Sequence, residues 1–241
     1  MTHTLPDYST KYKLAKIFSQ VDNAELAARL GALSLLDRRG NIVWYDDFEA
    51  AAAVKWIMGA TAAGTTVLST DRSYMGNQSM KTVTDVNIAD NCWIAKVFSL
   101  PIERIMAVEF MFHVSGGKPS ILLMIAGYTG TTLFGAQVKY DINAGKLYYL
   151  DSVAGWTELT NVDYVLNVVE GWSLVKLVIN WETKEYIRLI FCGTEYDLRG
   201  HYIPSGGSIS KRYISVNISS TAMTAAAATA YFDNVILTQN E

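Results

Sequence analysis

Residues 172–198 read WSLVKLVINWETKEYIRLIFCGTEYDL, and this stretch decides the fold class. Apolar side chains occupy every second position over 175–181, which is the period of a half-buried strand. A short polar break at 182–184 leads into a second alternating run, which we expect to turn Ile187 toward the core. Because the break is short, the two strands should be antiparallel neighbours. A third short run at 196–198 completes a predicted β-meander.

The chain from Asn41 onward repeats this pattern of short strands, separated by breaks rich in Gly, Asn and Asp. About a dozen strands with no helix between them predict an all-β, two-sheet antiparallel sandwich rather than a sheet built of βαβ units. In addition to the meander, the predicted strands are residues 42–49, 65–70, 79–84, 92–99, 104–114, 121–126, 134–141, 146–150, 213–218 and 231–237.

Composition excludes several classes of function. The chain has 241 residues, of which 50% are hydrophobic and 18% are charged, so it can bury a full core and is not disordered. A net charge of −3 with scattered lysines predicts no nucleic-acid surface. The longest apolar runs are as short as strands and predict no membrane insertion. The N-terminal residues lack a secretory signal pattern, so we expect synthesis in the cytoplasm without the Sec route.

Residues 1–40 differ from the rest and predict an N-terminal helical arm ahead of a sandwich domain at 41–241. Leu14, Ile17 and Val21 follow helical spacing, with lysines around them. An apolar stripe must be buried against another surface. Either the arm packs on its own sandwich, or it docks on neighbouring subunits of an assembly.

Three segments together resemble the concanavalin A-like lectin and glucanase jelly roll, including its laminin G-like relatives. WYDDFE at 44–49 resembles the first strand of that fold, SYMGNQSMK at 73–81 the edge that follows it, and YFDNV at 231–235 the last strand. The resemblance implies that the first and last strands pair. It leaves function open, because that fold carries lectins, hydrolases and scaffold modules alike. An arm followed by such a sandwich, without a secretory signal, also resembles structural proteins of tailed bacteriophages.

The resemblance also implies a metal candidate, because members of this fold use acidic groups of the opening strand to hold a structural calcium. Asp46, Asp47 and Glu49, with Asp233 from the paired last strand, would offer the oxygen ligands that calcium requires. The alternative is that these charges guard a sheet edge against aggregation. No other cofactor is expected.

No catalytic motif is found. Glucanases of this fold carry alternating carboxylates in the pattern Glu-x-Asp-x-x-Glu, which places nucleophile and acid about 5 Å apart. Here the nearest approach is Asp47 and Glu49, on one face of the predicted first strand. The three histidines have no metal-site spacing, and residues 206–210 fail the nucleophile-elbow pattern at the last position. The sequence therefore predicts that the chain is not an enzyme, with a divergent glycoside hydrolase as the remote alternative.

Polar residues of the long strands suggest a glycan-binding face. If their strands are neighbours in one sheet, these residues line a common face, and exposed tryptophans would add aromatic platforms. A polar outer face is also what any solvated sheet presents. Trp93 and Trp181 are instead predicted core residues. The glycan-binding candidates are Glu109, His113, Lys139, Trp156, Lys176, Asn180 and Arg188.

The preferred hypothesis for function is a structural or interaction subunit of a larger assembly, with a phage-like virion as the assembly. Residues 1–40 would contact other copies or other particle subunits while the sandwich faces outward. The predicted location is a virion or particle surface, and the extracellular space is the alternative. The alternative function is a carbohydrate-binding module that recognises surface glycans on its polar sheet face.

Overall fold

The computed structural model confirms the two-sheet antiparallel sandwich. It describes residues 39–50, 55–99, 104–129, 131–159, 171–207 and 212–241, and the predicted arm lies outside these residues except for its last two. The residues from Arg39 to Glu241 form one compact unit. In the described part of the chain, no helix is long and apolar enough to span a membrane.

Sheet A contains eight strands, two of which pair one after the other with successive segments of β16. In spatial order the sheet contains β13 (Thr194–Asp197), β12 (Glu185–Phe191), β11 (Ser173–Asn180), β6 (Ile105–Gly116), β16 (Thr229–Gln239), β4 (Ser79–Val83) and β3 (Thr65–Ser69). The remaining strand, β1 (Asn41–Asp46), pairs with residues 235–239 of β16, so the predicted pairing of the first and last strands is present.

Sheet B also contains eight strands. In spatial order they are β10 (Gly155–Glu158), β9 (Lys146–Asp151), β8 (Leu133–Asp141), β7 (Ser120–Thr129), β15 (Arg212–Thr221), β5 (Asn91–Phe98) and β2 (Ile57–Ala60), and the two-residue β14 (Ser205–Gly206) pairs with β8.

The predicted meander is present as β11, β12 and β13, each antiparallel to the next. One side-chain assignment within it was wrong. The structure buries Tyr186 in the core and leaves Ile187 partly exposed. The pairing register shifts so that Arg188 faces Val178 and Tyr186 faces Ile179, which makes Ile187 the extra residue of a β-bulge. The bulge reverses the alternation that the sequence pattern predicts for this residue.

The core lies between the two sheets. Every second residue of β6 from Met106 to Val114 belongs to it, as the alternation predicts. Aromatic rings fill its centre: the Phe110 ring lies 6.0 Å from the Phe232 ring, measured between centroids. Removal of this apolar surface from water is the main stabilising contribution. Trp181 is a core residue as predicted, with 1% of its surface exposed.

The outer faces of the two sheets differ in exposure. On the central strands of sheet A, most outward side chains are buried, including Lys176 at 1% exposure and Asp233 at 0%. On sheet B the outward side chains are largely accessible, and Trp93 is one of them, so its prediction as a core residue was wrong. A ligand from solution can therefore reach sheet B directly.

Gly127 of β7 lies directly against the Trp181 ring across the core. A Cβ atom at this position would lie 2.8 Å from Cη2 of Trp181. Both groups are fixed, because Gly127 is paired on both sides in the sheet and Trp181 is buried. We predict that Gly127→Ala lowers the free energy of unfolding by about 1–3 kcal/mol through overpacking, as measured by urea denaturation.

Gly135 of β8 supplies the matched control for this substitution. It pairs with Ala126 in the same sheet, but the nearest atom to a Cβ there would be 3.9 Å away. The free energy of unfolding of Gly135→Ala should stay within about 0.5 kcal/mol of the wild-type value. Equal losses in both variants would contradict the packing argument.

Candidate functional site

The candidate site is centred on three side chains of neighbouring strands at one end of the outer face of sheet B. Lys139 of β8 pairs with Tyr148 of β9, and Trp156 of β10 pairs with Leu150 of β9. Nζ of Lys139 lies 5.0 Å from the centroid of the Tyr148 ring and 4.4 Å from the centroid of the Trp156 ring. Cation–π attraction therefore holds the ammonium group against both rings. We call these three side chains the lysine clamp.

The lysine clamp lies at the surface. Trp156 is 39% exposed, and Lys139 and Tyr148 are partly exposed. Beside the clamp, Nζ of Lys146 and Oε2 of Glu158 form an ion pair at 2.8 Å. The hydrogen bond from Lys146 to Glu158 raises the pKa of Lys146. The clamp thus combines an accessible cation with two aromatic rings, next to charges that already neutralise each other.

A row of outward residues extends from the clamp across the whole sheet. Lys139 pairs with Leu122 of β7, Leu122 with Ser219 of β15, and Ser219 with Trp93 of β5. Trp93 pairs with Gly59 of β2, where a Cβ would lie 2.1 Å from Cζ2 of the indole, so the ring covers this glycine. The row therefore carries aromatic rings at both ends.

A second aromatic pair lies on the same face, toward the ends of β7 and β15. Tyr128 and Tyr213 pair across these strands, and their ring centroids are 4.0 Å apart. Burial raises the pKa of Tyr128, and its hydrogen bond with Tyr213 adds to that rise. Partly exposed Gln137 and Asn217 flank Met124 in a row between this pair and the clamp. The face thus offers both flat rings and amide groups.

Four of the predicted glycan-binding residues lie instead on the outer face of sheet A. Lys176 and Arg188 both pair with Glu241, with Nζ of Lys176 2.7 Å from Oε1 and Nη2 of Arg188 2.6 Å from Oε2. Nζ of Lys176 also lies 3.9 Å from Oε2 of Glu109. All three predicted residues are buried. These charges face one another, and their role in glycan binding stays a prediction.

The fourth of these residues, His113, and Asn180, the last residue of β11, both have protein partners. Nδ1 of His113 lies 2.9 Å from the carbonyl oxygen of Gly171, and burial lowers the pKa of the imidazole. The Asn180 side-chain oxygen accepts N–H groups of the β11–β12 turn, including that of Glu182 at 2.9 Å. The sequence candidates are therefore divided between the two sheets. Lys139 and Trp156 come together on sheet B, whereas Glu109, Lys176 and Arg188 come together on sheet A.

Two of the predicted metal ligands lie at the end of β1: Asp46 is its last residue, and Asp47 follows it. The sequence pattern extended the first strand to Glu49, but the strand ends at Asp46, and Phe48 has a positive φ of 58°. This left-handed residue breaks the alternation, so Asp47 and Glu49 do not share a strand face as predicted. Asp46 is buried and accepts a hydrogen bond from Nε1 of Trp56 at 3.0 Å.

The other two metal candidates anchor the loop that follows Ser73. The Glu49 carboxylate accepts the N–H groups of Asn77 and Gln78, each at 2.7 Å. The Asp233 carboxylate accepts the N–H of Tyr74 at 2.7 Å. Among the described residues, no group of three or more His, Cys, Asp or Glu side chains is placed to hold a metal ion. Calcium binding at these four carboxylates stays a prediction.

Comparison with known proteins shows the fold. No family model and no curated protein matches the chain. An endo-β-1,4-glucuronan lyase from Trichoderma reesei has a TM-score of 0.58 at 14% identity, over 83% of this chain and 96% of the lyase. A galectin-like protein of unknown function from Bacillus subtilis has a TM-score of 0.55 at 12% identity, over 84% and 97%. A carbohydrate esterase from the Shiga toxin-encoding bacteriophage phi24B has a TM-score of 0.51 at 10% identity, over 84% and 100%.

These similarities confirm a jelly-roll or galectin-like sandwich, and the resemblance to tailed-phage structural proteins stays a prediction. They also correct the prediction that the chain is not an enzyme, because the fold is shared with a lyase and an esterase. That prediction was wrong because it rested on the motifs of a few enzyme classes. Absence of a glucanase pattern does not separate binding from catalysis on this scaffold.

Asp233 generates a prediction about pH. Its burial raises the pKa of the carboxyl group from 3.8 to about 6, against the opposing effect of backbone donors. The folded state therefore favours the protonated form, and this contribution to stability is full below pH 4 and is lost as the pH rises through 6. This rise in the pKa of Asp233 corresponds to about 3 kcal/mol. Between pH 4 and pH 7, the wild type should lose about that much free energy of unfolding relative to Asp233→Asn.

Urea unfolding of both proteins at several pH values, in the presence of EDTA, measures this difference. Asp197 provides the control, because Asp197→Asn makes the same chemical change at an exposed carboxylate, far from the buried Asp233 in the chain. Its stability should follow the wild type across the pH range. Parallel curves for the wild type and Asp233→Asn would show that the Asp233 carboxyl group is not responsible.

Proposed function

We propose that the protein binds carbohydrate through the outer face of sheet B. The observation that carries this proposal is the accessible lysine clamp at one end of a row that reaches Trp93 at the other. Aromatic rings offer flat apolar surfaces against which the C–H faces of a sugar ring can pack. Convergent polar groups on an apolar surface are the usual means of orienting a small ligand.

The size of the row suits an extended oligosaccharide. From Lys139 to Trp93 the row crosses β8, β7, β15 and β5, which are successive neighbours in the sheet. Three strand spacings of about 4.8 Å separate the two ends by about 14 Å. The amides of Gln137 and Asn217 lie on the same face and can donate to or accept from sugar hydroxyls. Stacking and hydrogen bonding are thus available along the same surface.

Accessibility supports sheet B over sheet A. On sheet A the predicted candidates Glu109, Lys176 and Arg188 are buried and face Glu241. A sugar would have to replace these ion pairs, which leaves uncompensated buried charge. On sheet B, Trp156 is already 39% exposed. The names of the lyase and the esterase that share the fold refer to carbohydrates, which lends support at the level of the fold.

We predict that Trp156→Ala weakens carbohydrate binding by about tenfold, because it removes one wall of the lysine clamp. Tyr202→Ala is the matched control, since Tyr202 is also an exposed aromatic residue, with 50% exposure, but lies outside the sheet face. Isothermal titration calorimetry should be carried out with paired acidic and neutral oligosaccharides. Unchanged affinity in Trp156→Ala would place the site elsewhere, and no binding to any oligosaccharide by the wild type would refute the function.

An assembly role through residues 1–40 stays a second prediction, together with a virion, particle-surface or extracellular location. The fold neighbours give more support to carbohydrate binding than to this role. If residues 1–40 join subunits, a chain that begins at Asn41 should remain folded but lose its oligomers. Light scattering on both chains measures this. If both chains form particles with the same number of copies, the assembly role is contradicted.

A further inference from the structure

We propose that the lysine clamp selects anionic glycans, and that Lys139 is the group that recognises carboxylate substituents such as those of uronic acids. This inference rests on the proposed function and adds the chemical class of the ligand. The inference rests on the Lys139 ammonium group: on its position, its charge and the groups that surround it.

The ammonium group is held in place before any ligand arrives. Two rings, Tyr148 and Trp156, contact it from neighbouring strands, at 5.0 Å and 4.4 Å from its nitrogen. A free lysine side chain loses much rotational freedom when it is fixed by a ligand. Here the rings already restrict the Lys139 side chain, so less of that entropy remains to be lost on binding.

The charge of Lys139 has no carboxylate partner among the described residues. The two acidic groups nearest in the pairing register are engaged elsewhere. Glu158 pairs with Lys146 at 2.8 Å, and Oδ1 of Asp141 accepts the N–H of Ala144 at 2.9 Å. The rings attract the ammonium group through their quadrupoles but do not neutralise its charge. An accessible cation is therefore left at the surface of the site.

Two other lysines of the sandwich, Lys81 and Lys176, have a carboxylate partner. Lys81 lies 2.6 Å from Oδ2 of Asp71, and Lys176 lies 2.7 Å from Oε1 of Glu241. Lys139 has aromatic rings where these lysines have a carboxylate. A ligand that brings its own carboxylate would supply the missing anion through a charge-assisted hydrogen bond.

The partly buried, aromatic surroundings make that ion pair stronger than one in open solvent. Lys139 is partly exposed and lies against two rings, so water screens it less than a fully solvated lysine. A uronic acid whose ring packs on Trp156 could direct its carboxylate to Nζ of Lys139. The corresponding neutral sugar has the same ring but only a hydroxymethyl group at that position. The anionic glycan should therefore bind more tightly.

Pairs of oligosaccharides that differ only in the carboxyl group test the inference. The probes are tetrasaccharides of 1,4-linked glucuronic, mannuronic and galacturonic acid, each with its carboxyl-reduced counterpart, and calorimetry measures affinity. We expect the wild type to bind at least one acidic member about tenfold more tightly than its neutral counterpart. Lys139→Gln should abolish this preference, and Lys139→Arg should keep most of it, because arginine retains both the charge and the cation–π contact.

Lys146→Gln is the matched control, since it removes an equal charge from the same end of the sheet but one that is already paired with Glu158. Its affinity for the acidic probe should change less than twofold. An equal loss in Lys139→Gln and Lys146→Gln would show general attraction by surface charge and overturn the role of Lys139. Equal binding of acidic and neutral probes would overturn the inference but leave carbohydrate binding intact. Failure to bind any probe would overturn both.

Discussion

The structure depends on one constraint: the long strands of the two sheets must present alternate side chains to the space between them. β6 meets this constraint over its whole core-facing side, from Met106 to Val114, and its pairing with β11 and β16 forms the centre of sheet A. Gly127 and Trp181 show how closely the two sheets approach. Because the inner faces are committed to packing, groups that contact a ligand must come from the outer faces. Among the described residues, the outward side chains of the central strands are mostly buried on sheet A and mostly partly exposed on sheet B.

The sequence predicts the long strands well, because two-residue periodicity is a local property. It fails where a local irregularity intervenes, as at the bulge that contains Ile187 and at Phe48, whose positive φ ends the first strand. The short strands β2, β10 and β14 were missed, since four residues or fewer hold too little pattern to be recognised. Trp93 was misplaced because its strand carries apolar residues on both faces, so alternation does not identify the inner one.

The candidate site was predicted only in part. Lys139 and Trp156 were chosen for their residue types, but they were grouped with Lys176 and Arg188, which the chain folds into the other sheet. Which strands become neighbours depends on long-range pairing, and no short stretch of sequence specifies it. Tyr148 was missed for the same reason: its importance comes from the register that places it opposite Lys139.

The row from Lys139 to Trp93 runs across the strands, so neighbours within it are distant along the chain. Lys139, Leu122 and Trp93 each belong to a different segment, and under the proposed function each would contact a different part of a ligand along the row. One position can therefore be exchanged during evolution without disturbing the backbone or the next contact. Ligand preference on such a surface can diverge one step at a time among proteins that keep the same fold, and it leaves no contiguous sequence signature.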